Sequence, residues 1–474
     1  MIFGRGQRHR TAHALFVAFL LGSSLVYAQP ISPLSAEQRA NIDSIARKIL
    51  ETTGVPSASL AVVRDGQIVY AQAYGDARLD PKMPAATQMP YSIGSISKQF
   101  TATAILMLQE QGKLSLDDKV GKWLPDLTRA SEITLRQVLS MTSGYQDYAP
   151  QDYMIPEWEK AISTQQILDR WARIPLDFEP GTRWQYSNTN YVIAGVIIEK
   201  ITGQPLFSFV RDRILAPLNI GSALDTNAKK LPDSDPQGYF RYALGPLRPA
   251  PHEGPGWMFA AGELAMTATD LCKWDISLMR ESLMKPSSYL AMETETLLKN
   301  GVGTRYGLGM TVTSVRGHRV LEHNGEVSGF TAENIVLPDD NFAVAVLTNQ
   351  DAVSAASGIG RGIMNAFLDS ANVSDPKQDT LVRRVFDDLR ADKIDRSLFS
   401  DNANSYFTEQ ALHDYSTSLT ALGDVQSFKQ TSNSLRGGMT HMSYEVKFAS
   451  KTVGINIYQM PNGKFEQYLV AAQE

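Results

Sequence analysis

Apolar residues recur along this chain with two periods. Ile42, Ile45, Ala46 and Ile49 return at helical spacing, and residues 60–63 and 68–73 then form two extended apolar runs on either side of Asp65-Gly66. The pattern predicts a helix followed by a hairpin, since Asp-Gly suits a two-residue turn whose twist matches paired strands. Residues 95–111 carry Phe100, Ile105 and Leu108 and stop at Gly112, predicting one helix with a glycine at its C-terminal end. The middle of the chain, rich in Pro, Trp and Tyr, interleaves short helices such as 191–201 with loops such as 249–262. Strand patterns return at 320–322, 331–337 and 342–347, the last two joined by the turn Pro338-Asp339-Asp340-Asn341. Sheet halves from both ends of one domain, with a mostly helical insertion between them, predict an α+β body of two lobes.

Past Ser370 the composition changes. A polar link over 374–379 leads into a helix with Leu381, Val385, Phe386 and Leu389 on one face. Tyr444, Val446 and Phe448 then alternate with polar residues, Val453, Ile455 and Ile457 repeat the alternation, and Asn462-Gly463 turns into 465–470. A small, separate α+β domain is expected there. The expected division is an export signal at 1–28, a main domain at 29–370, a linker at 371–378 and the small domain at 379–474. There is no internal repeat and no low-complexity tract.

Composition narrows the class. The chain has 474 residues, more than one core usually accommodates, and its 43% hydrophobic and 20% charged content is that of a soluble globular protein. Arg5, Arg8 and Arg10 precede an apolar run over 14–21 that ends in Val26-Tyr27-Ala28, a secretory pattern with cleavage expected after Ala28. An exported, periplasmic or secreted protein follows as the expectation. Removing that segment leaves 42 basic against 50 acidic residues, a net charge of −8, so nucleic acid and anionic membrane are poor partners. The single cysteine, Cys272, can make no internal disulfide, and its helix-flank setting suits packing better than nucleophilic chemistry.

Chemistry centres on Ser95-Ile96-Ser97-Lys98. Two side chains three apart on the first turn of a helix share a face, and a serine hydroxyl needs a nearby base to become a nucleophile. A buried lysine facing a tyrosine can have its pKa lowered enough to serve. The same spacing recurs at Ser282/Lys285 and Ser374/Lys377, but those pairs fall at a helix end and in the polar link, where solvated surface residues are expected. Tyr186-Ser187-Asn188 sits in a loop ahead of a helix, where side chains can enter a cleft. His323-Asn324-Gly325 follows one strand and precedes another, so its backbone can border the same cleft. The rival His252-Glu253-Gly254 lies in a Pro/Gly-rich loop and reads as turn punctuation. Tyr145, Tyr148, Tyr153, Trp257 and Phe259 either wall the cleft or pack. No Gly-x-Ser-x-Gly elbow and no His-x-His or His-Glu-x-x-His ligand set is present, which disfavours an α/β-hydrolase triad and a zinc site.

With three motifs in this order the chain resembles the serine β-lactamase and penicillin-binding superfamily, in its class C β-lactamase, esterase and D-aminopeptidase branch. The resemblance spans 42–367 and is closest at 91–101, at Glu179-Pro180-Gly181-Thr182 ahead of Tyr186, and at 325–330. It implies an antiparallel sheet flanked by helices plus a mostly helical lobe. It also implies that Ser95 forms an acyl-enzyme and that Lys98 and Tyr186 share general-base and general-acid duty. Asn188, His323, Asn324 and Gly325 would meet substrate, and the backbone N–H groups of Ser95 and Glu326 would form the oxyanion hole. No cofactor or metal is implied. One departure stands out: the third motif of β-lactamases and cell-wall carboxypeptidases usually begins with Lys, and here it begins with His323. A largely neutral imidazole in that place weakens recognition of a substrate carboxylate and leaves uncharged esters or amides acceptable, while Glu326 either favours a substrate amine or is a solvent-exposed side chain. The leading expectation is a serine hydrolase of ester, amide or peptide-like substrates. Its alternatives are a β-lactamase or D-Ala-D-Ala carboxypeptidase, or a non-catalytic binding module.

Overall fold

Asp65 and Gly66 both have positive φ, 53° and 69°, the geometry that lets two residues reverse a chain between twisted strands. They join Ser57–Arg64 (β1) to Gln67–Leu79 (β2) in an antiparallel pair. The computed structural model describes residues 34–151, 153–371, 376–436 and 438–472, together with Met1 and Gly4. Apart from those two residues the expected export signal lies outside the described residues, as do 372–375 of the expected linker.

The main sheet adds Lys82–Pro84 (β3), Thr311–Val315 (β4), His318–Val327 (β5), Phe330–Leu337 (β6) and Phe342–Thr348 (β7). Its order is β3-β2-β1-β7-β6-β5-β4 with antiparallel neighbours, so β1 pairs directly with a strand nearly 300 residues later, from Ala58↔Thr348 to Arg64↔Phe342. This is the closure of two sheet halves that the hydrophobic pattern predicts. The central strands are buried on both faces, and the two-residue repeat divides their side chains between two cores. Leu60, Val62, Val344 and Val346 meet Ile42 and Ala46 of the helix Ala36–Thr53 (α1) and Ile359 and Ile363 of the helix Ala355–Ala371. Ala61, Val63, Ala343, Ala345 and Leu347 join the larger core, which fills the helical lobe.

Ser97–Glu110 (α2) runs through the centre of that larger core, with every residue from Ser97 to Leu108 buried. A helix that is enclosed on all sides shows little amphipathic stripe in its sequence. Around it stand Asn188–Thr202 (α3) and Ala268–Met279 (α4). Trp274 of α4 lies 4.7 Å from Phe100 between ring centres, and its indole N–H donates to Gln99 Oε1 at 2.7 Å. Burying a side chain of that size is worth roughly 1.5–3 kcal/mol, and the bonded N–H removes the cost of an unpaired donor.

A third core belongs to the C-terminal part. Ser427–Arg436, Met439–Lys447, Thr452–Gln459 and Phe465–Ala472 form a four-stranded antiparallel meander. Its apolar side, with Tyr444, Val446, Ile455 and Ile457, meets Val382, Val385, Phe386 and Leu389 of the helix Pro376–Arg390. The expected boundary at 379 falls inside that helix. The pattern of apolar residues missed the strand Ser427–Arg436 and the helix Glu409–Thr420, whose sequences carry few apolar side chains.

Candidate active site

Two glycines bring the site's backbone together. Gly94 opens the single turn of 3-10 helix Gly94–Ile96 with φ 51°, and a Cβ there would lie 2.7 Å from the backbone nitrogen of Glu326. A Cβ on Gly325 of β5 would lie 1.9 Å from the carbonyl oxygen of Ile93 and 3.2 Å from the nitrogen of Ser95. The turn and the strand therefore touch backbone to backbone, with the N–H-bearing atoms of Ser95 and Glu326 in neighbouring positions.

Lys98, on the first turn of α2, has no exposed surface. Its Nζ donates to Ser95 Oγ at 2.9 Å, Asn188 Oδ1 at 2.8 Å and the carbonyl of Ala261 at 2.7 Å. Burial lowers its pKa to about 7, against a smaller opposing pull from the Asp147 carboxylate. The rings of Tyr186 and Tyr191 lie 5.0 and 5.5 Å from the nitrogen. Tyr186 sits two residues ahead of α3, and its phenol is hydrogen-bonded to Ser95; burial raises its pKa well above the usual tyrosine value, so it is a phenol and not a phenolate. Ser95, Lys98, Tyr186 and Asn188 thus converge.

Ser95, Tyr186, Asn188, Asn324 and Glu326 line a cleft of about 610 Å³. His323 does not. The strand expected to stop before this motif runs through it as β5; Asn324 and Glu326 line the cleft, whereas His323, 4% exposed, is enclosed against Tyr306 and Tyr186 beneath it. The imidazole Nδ1 donates to the carbonyl of Asn324, which leaves Nε2 to accept from the Tyr306 hydroxyl at 3.0 Å. Burial, with Lys98 adding to it, lowers the His323 pKa to about 4, so the ring is neutral. Gly325 is not among the residues lining the cleft either, and serves by the space it leaves.

Three residues that the sequence did not single out for the cleft enter it. Asp147 accepts from the backbone nitrogen and the Nδ2 of Asn188 at 2.9 and 3.1 Å. Glu253, read as turn punctuation, turns inward and accepts from the Ser328 nitrogen at 2.7 Å, and Asp351 accepts from the Gly329 nitrogen at 2.8 Å. Burial raises the pKa of all three carboxyls. Of the candidate aromatics, Tyr148 and Tyr153 line the cleft beside Trp158, whereas Tyr145, Trp257 and Phe259 are buried in the lobe. Ser282 and Lys285 are both exposed, and Ser374 lies outside the described residues. Among the described residues no group of three or more His, Cys, Asp or Glu is placed to hold a metal.

A serine held against a buried lysine and a tyrosine, at the seam of an antiparallel sheet and a helical lobe, defines a serine hydrolase of the penicillin-recognising architecture. The chain belongs to the Beta-lactamase family, whose sequence profile matches residues 42–361. It is 28% identical over 311 residues to Penicillin-binding protein 4* of Bacillus subtilis (strain 168), covering 62% of this chain and 68% of that one. The chain thus spans about two thirds of the length of its curated relatives, 64% in the case of Protein flp of Staphylococcus aureus (strain COL). Among solved structures it is similar to a D-stereospecific amidohydrolase from Streptomyces sp., with 28% identity, a TM-score of 0.59 and coverage of 69% of this chain and 98% of that one. The octameric penicillin-binding protein homologue from Pyrococcus abyssi shares the fold at 21% identity and a TM-score of 0.61, over 92% of this chain and 96% of that one.

Proposed function

We propose that the protein hydrolyses amides or esters through an acyl-enzyme on Ser95, with a preference for substrates that carry an amine. The observation that carries the reading is the 2.9 Å contact between Lys98 Nζ and Ser95 Oγ in a fully buried lysine environment. With its pKa near 7, Lys98 is neutral in a large fraction of molecules at neutral pH and takes the Ser95 proton as Oγ attacks the acyl carbon. Tyr186 remains protonated, so it delivers a proton to the leaving group and recovers one from Lys98. Water then attacks the acyl-enzyme with the same groups working in reverse. Backbone N–H groups of Ser95 and Glu326 would stabilise the oxyanion, at about 3–4 kcal/mol each.

The charge of the cleft supports the substrate preference. Asp147, Glu253, Glu326 and Asp351 are among its lining residues, and no Lys, Arg or His is among the described ones. A substrate carboxylate meets four acids and no fixed cation apart from Lys98, which is buried and engaged, whereas an ammonium group relieves the mutual repulsion of the acids. The D-stereospecific amidohydrolase likeness favours amides in the same direction. The test is a hydrolysis screen of amino acid amides, short neutral esters and a chromogenic cephalosporin, on wild type beside Ser95→Ala, with fluorophosphonate labelling of the intact protein. Loss of turnover and labelling in Ser95→Ala, with amine-bearing amides the best substrates, is expected. Cephalosporin turnover exceeding that of the amides would instead establish the β-lactamase alternative.

A further inference from the structure

An asparagine amide has a donor end and an acceptor end of nearly the same shape, and something must decide which of them faces Lys98. Here that is Asp147. Its carboxylate can only accept, and it lies 3.1 and 3.4 Å from the Nδ2 of Asn188 through its two oxygens, as well as 2.9 Å from the Asn188 backbone nitrogen. The N–H end of the amide is thereby held on the Asp147 side, and the Oδ1 end meets Lys98 at 2.8 Å.

The consequence lies in the direction of the lysine's lone pair. Asn188 Oδ1 and the Ala261 carbonyl are both pure acceptors, and each takes an N–H of the lysine. In the neutral amine those are the only two N–H groups, so the lone pair is what remains, and Ser95 Oγ at 2.9 Å is the third hydrogen-bonding partner of Nζ among the described residues. With two N–H groups pinned, small rotations about the Cε–Nζ bond are closed, and the lone pair can be presented to the Ser95 hydroxyl. An amide turned the other way would offer its own N–H to the lysine and draw the lone pair off the serine. We propose that Asp147 is a positioning residue for proton transfer: by orienting the Asn188 amide it aims the Lys98 amine at Ser95.

The loop that carries Asp147 is built to hold still. The Ser143 hydroxyl donates to Asn190 Oδ1 at 2.5 Å and the Ser187 hydroxyl to the Gln146 carbonyl at 3.3 Å, tying the loop to the first turn of α3 on both sides of the motif. The Tyr148 hydroxyl donates to the Trp257 carbonyl. Asp147 also reaches Lys98 through its charge, favouring the ammonium form. The other groups facing Lys98 are Ser95, the Ala261 carbonyl, the rings of Tyr186 and Tyr191, and the neutral His323. Among them Asp147 supplies the anion.

This inference rests on the reading of Ser95 as the nucleophile, and the experiment separates the two. Labelling of Ser95 by a fluorophosphonate is followed against pH in wild type, Ser95→Ala, Asp147→Asn and Asp147→Glu, with thermal unfolding measured beside it. Absence of labelling in wild type removes the nucleophile itself. Given labelling, Asp147→Asn should lower the plateau rate roughly tenfold and move the acid limb down by about one pH unit, because the opposite charge within reach of Lys98 is gone. Asp147→Glu should return the limb toward its wild-type position. In a second background, Asn188→Ala, the same Asp147→Asn change should no longer lower the plateau. A folded Asp147→Asn whose limb stays in place, or whose plateau loss is unchanged in the Asn188→Ala background, overturns the proposal. If Asp147→Asn does not fold, Asp147→Ser is read by the same two quantities.

Discussion

Gly325→Ala tests the backbone arrangement of the site without altering a single side chain that meets substrate. The new Cβ would lie 1.9 Å from the Ile93 carbonyl oxygen, and ordinary contact begins near 3.4 Å, so the two backbones must part by about 1.5 Å. That displacement falls between the nitrogens of Ser95 and Glu326. An oxyanion donor works over a few tenths of an ångström, and losing one costs roughly 100- to 1,000-fold in kcat, or about 2.7–4 kcal/mol. KM should change far less, because the donor bonds most strongly to the tetrahedral intermediate. The assay is steady-state hydrolysis of the best substrate from the screen, with thermal unfolding and the rate of a small acylating probe measured in parallel. Gly221→Ala is a suitable control, since that residue, like Gly325, has no positive φ and has nothing within 4 Å of the added methyl group. If folded Gly325→Ala keeps kcat within threefold of wild type, the assignment of the oxyanion hole to these two nitrogens is wrong.

Three further outcomes follow from the buried ionisable groups. The rate kcat/KM should rise through an acid limb centred near pH 7 as Lys98 loses its proton, and a flat profile between pH 6 and 8 would count against Lys98 as the base. Glu253→Gln should raise KM for an amine-bearing amide roughly tenfold while leaving a neutral ester within about twofold, a difference that equal effects on both substrates would refute. Asp275, fully buried beside Cys272 and bonded to the Asn334 amide, has its pKa raised from 3.8 to about 8 by burial. The folded state therefore binds a proton that the unfolded chain releases, and stability should fall by up to about 1.4 kcal/mol per pH unit between those values. Glu263 and Glu333, raised to about 8 and about 7, act in the same direction. Asp275→Asn should flatten part of that slope in urea titrations at pH 5, 6.5 and 8, and an unchanged slope would show that Asp275 does not carry the proton.

Local sequence was informative wherever local chemistry decides the outcome. Asp65-Gly66 dictates a turn whatever surrounds it, and Ser95 and Lys98 share a face because helical geometry puts them there. Tyr186 and Asn188 were legible as a loop-to-helix motif. Asp147 was not, because its meaning comes from a contact with Asn188 forty-one positions away, and Tyr145-Gln146-Asp147-Tyr148 carries no pattern of its own. Glu253 and Asp351 reach the cleft from a loop and from the end of β7, two segments that meet only after the sheet closes. His323 misled for a different reason. A strand ending at Glu322 would leave His323 in an open loop, yet the strand continues to Val327 and holds the imidazole enclosed.

The enclosure of His323 closes an evolutionary route. Both ring nitrogens are committed, one to the Asn324 carbonyl and the other to Tyr306, in a place with almost no solvent. A lysine introduced at this position would have to shed its hydration beside Lys98, a second cation. Acquiring affinity for acidic ligands through a cation at this position would then require Tyr306 and the adjoining aromatic wall to change together, several coordinated substitutions and not a single one.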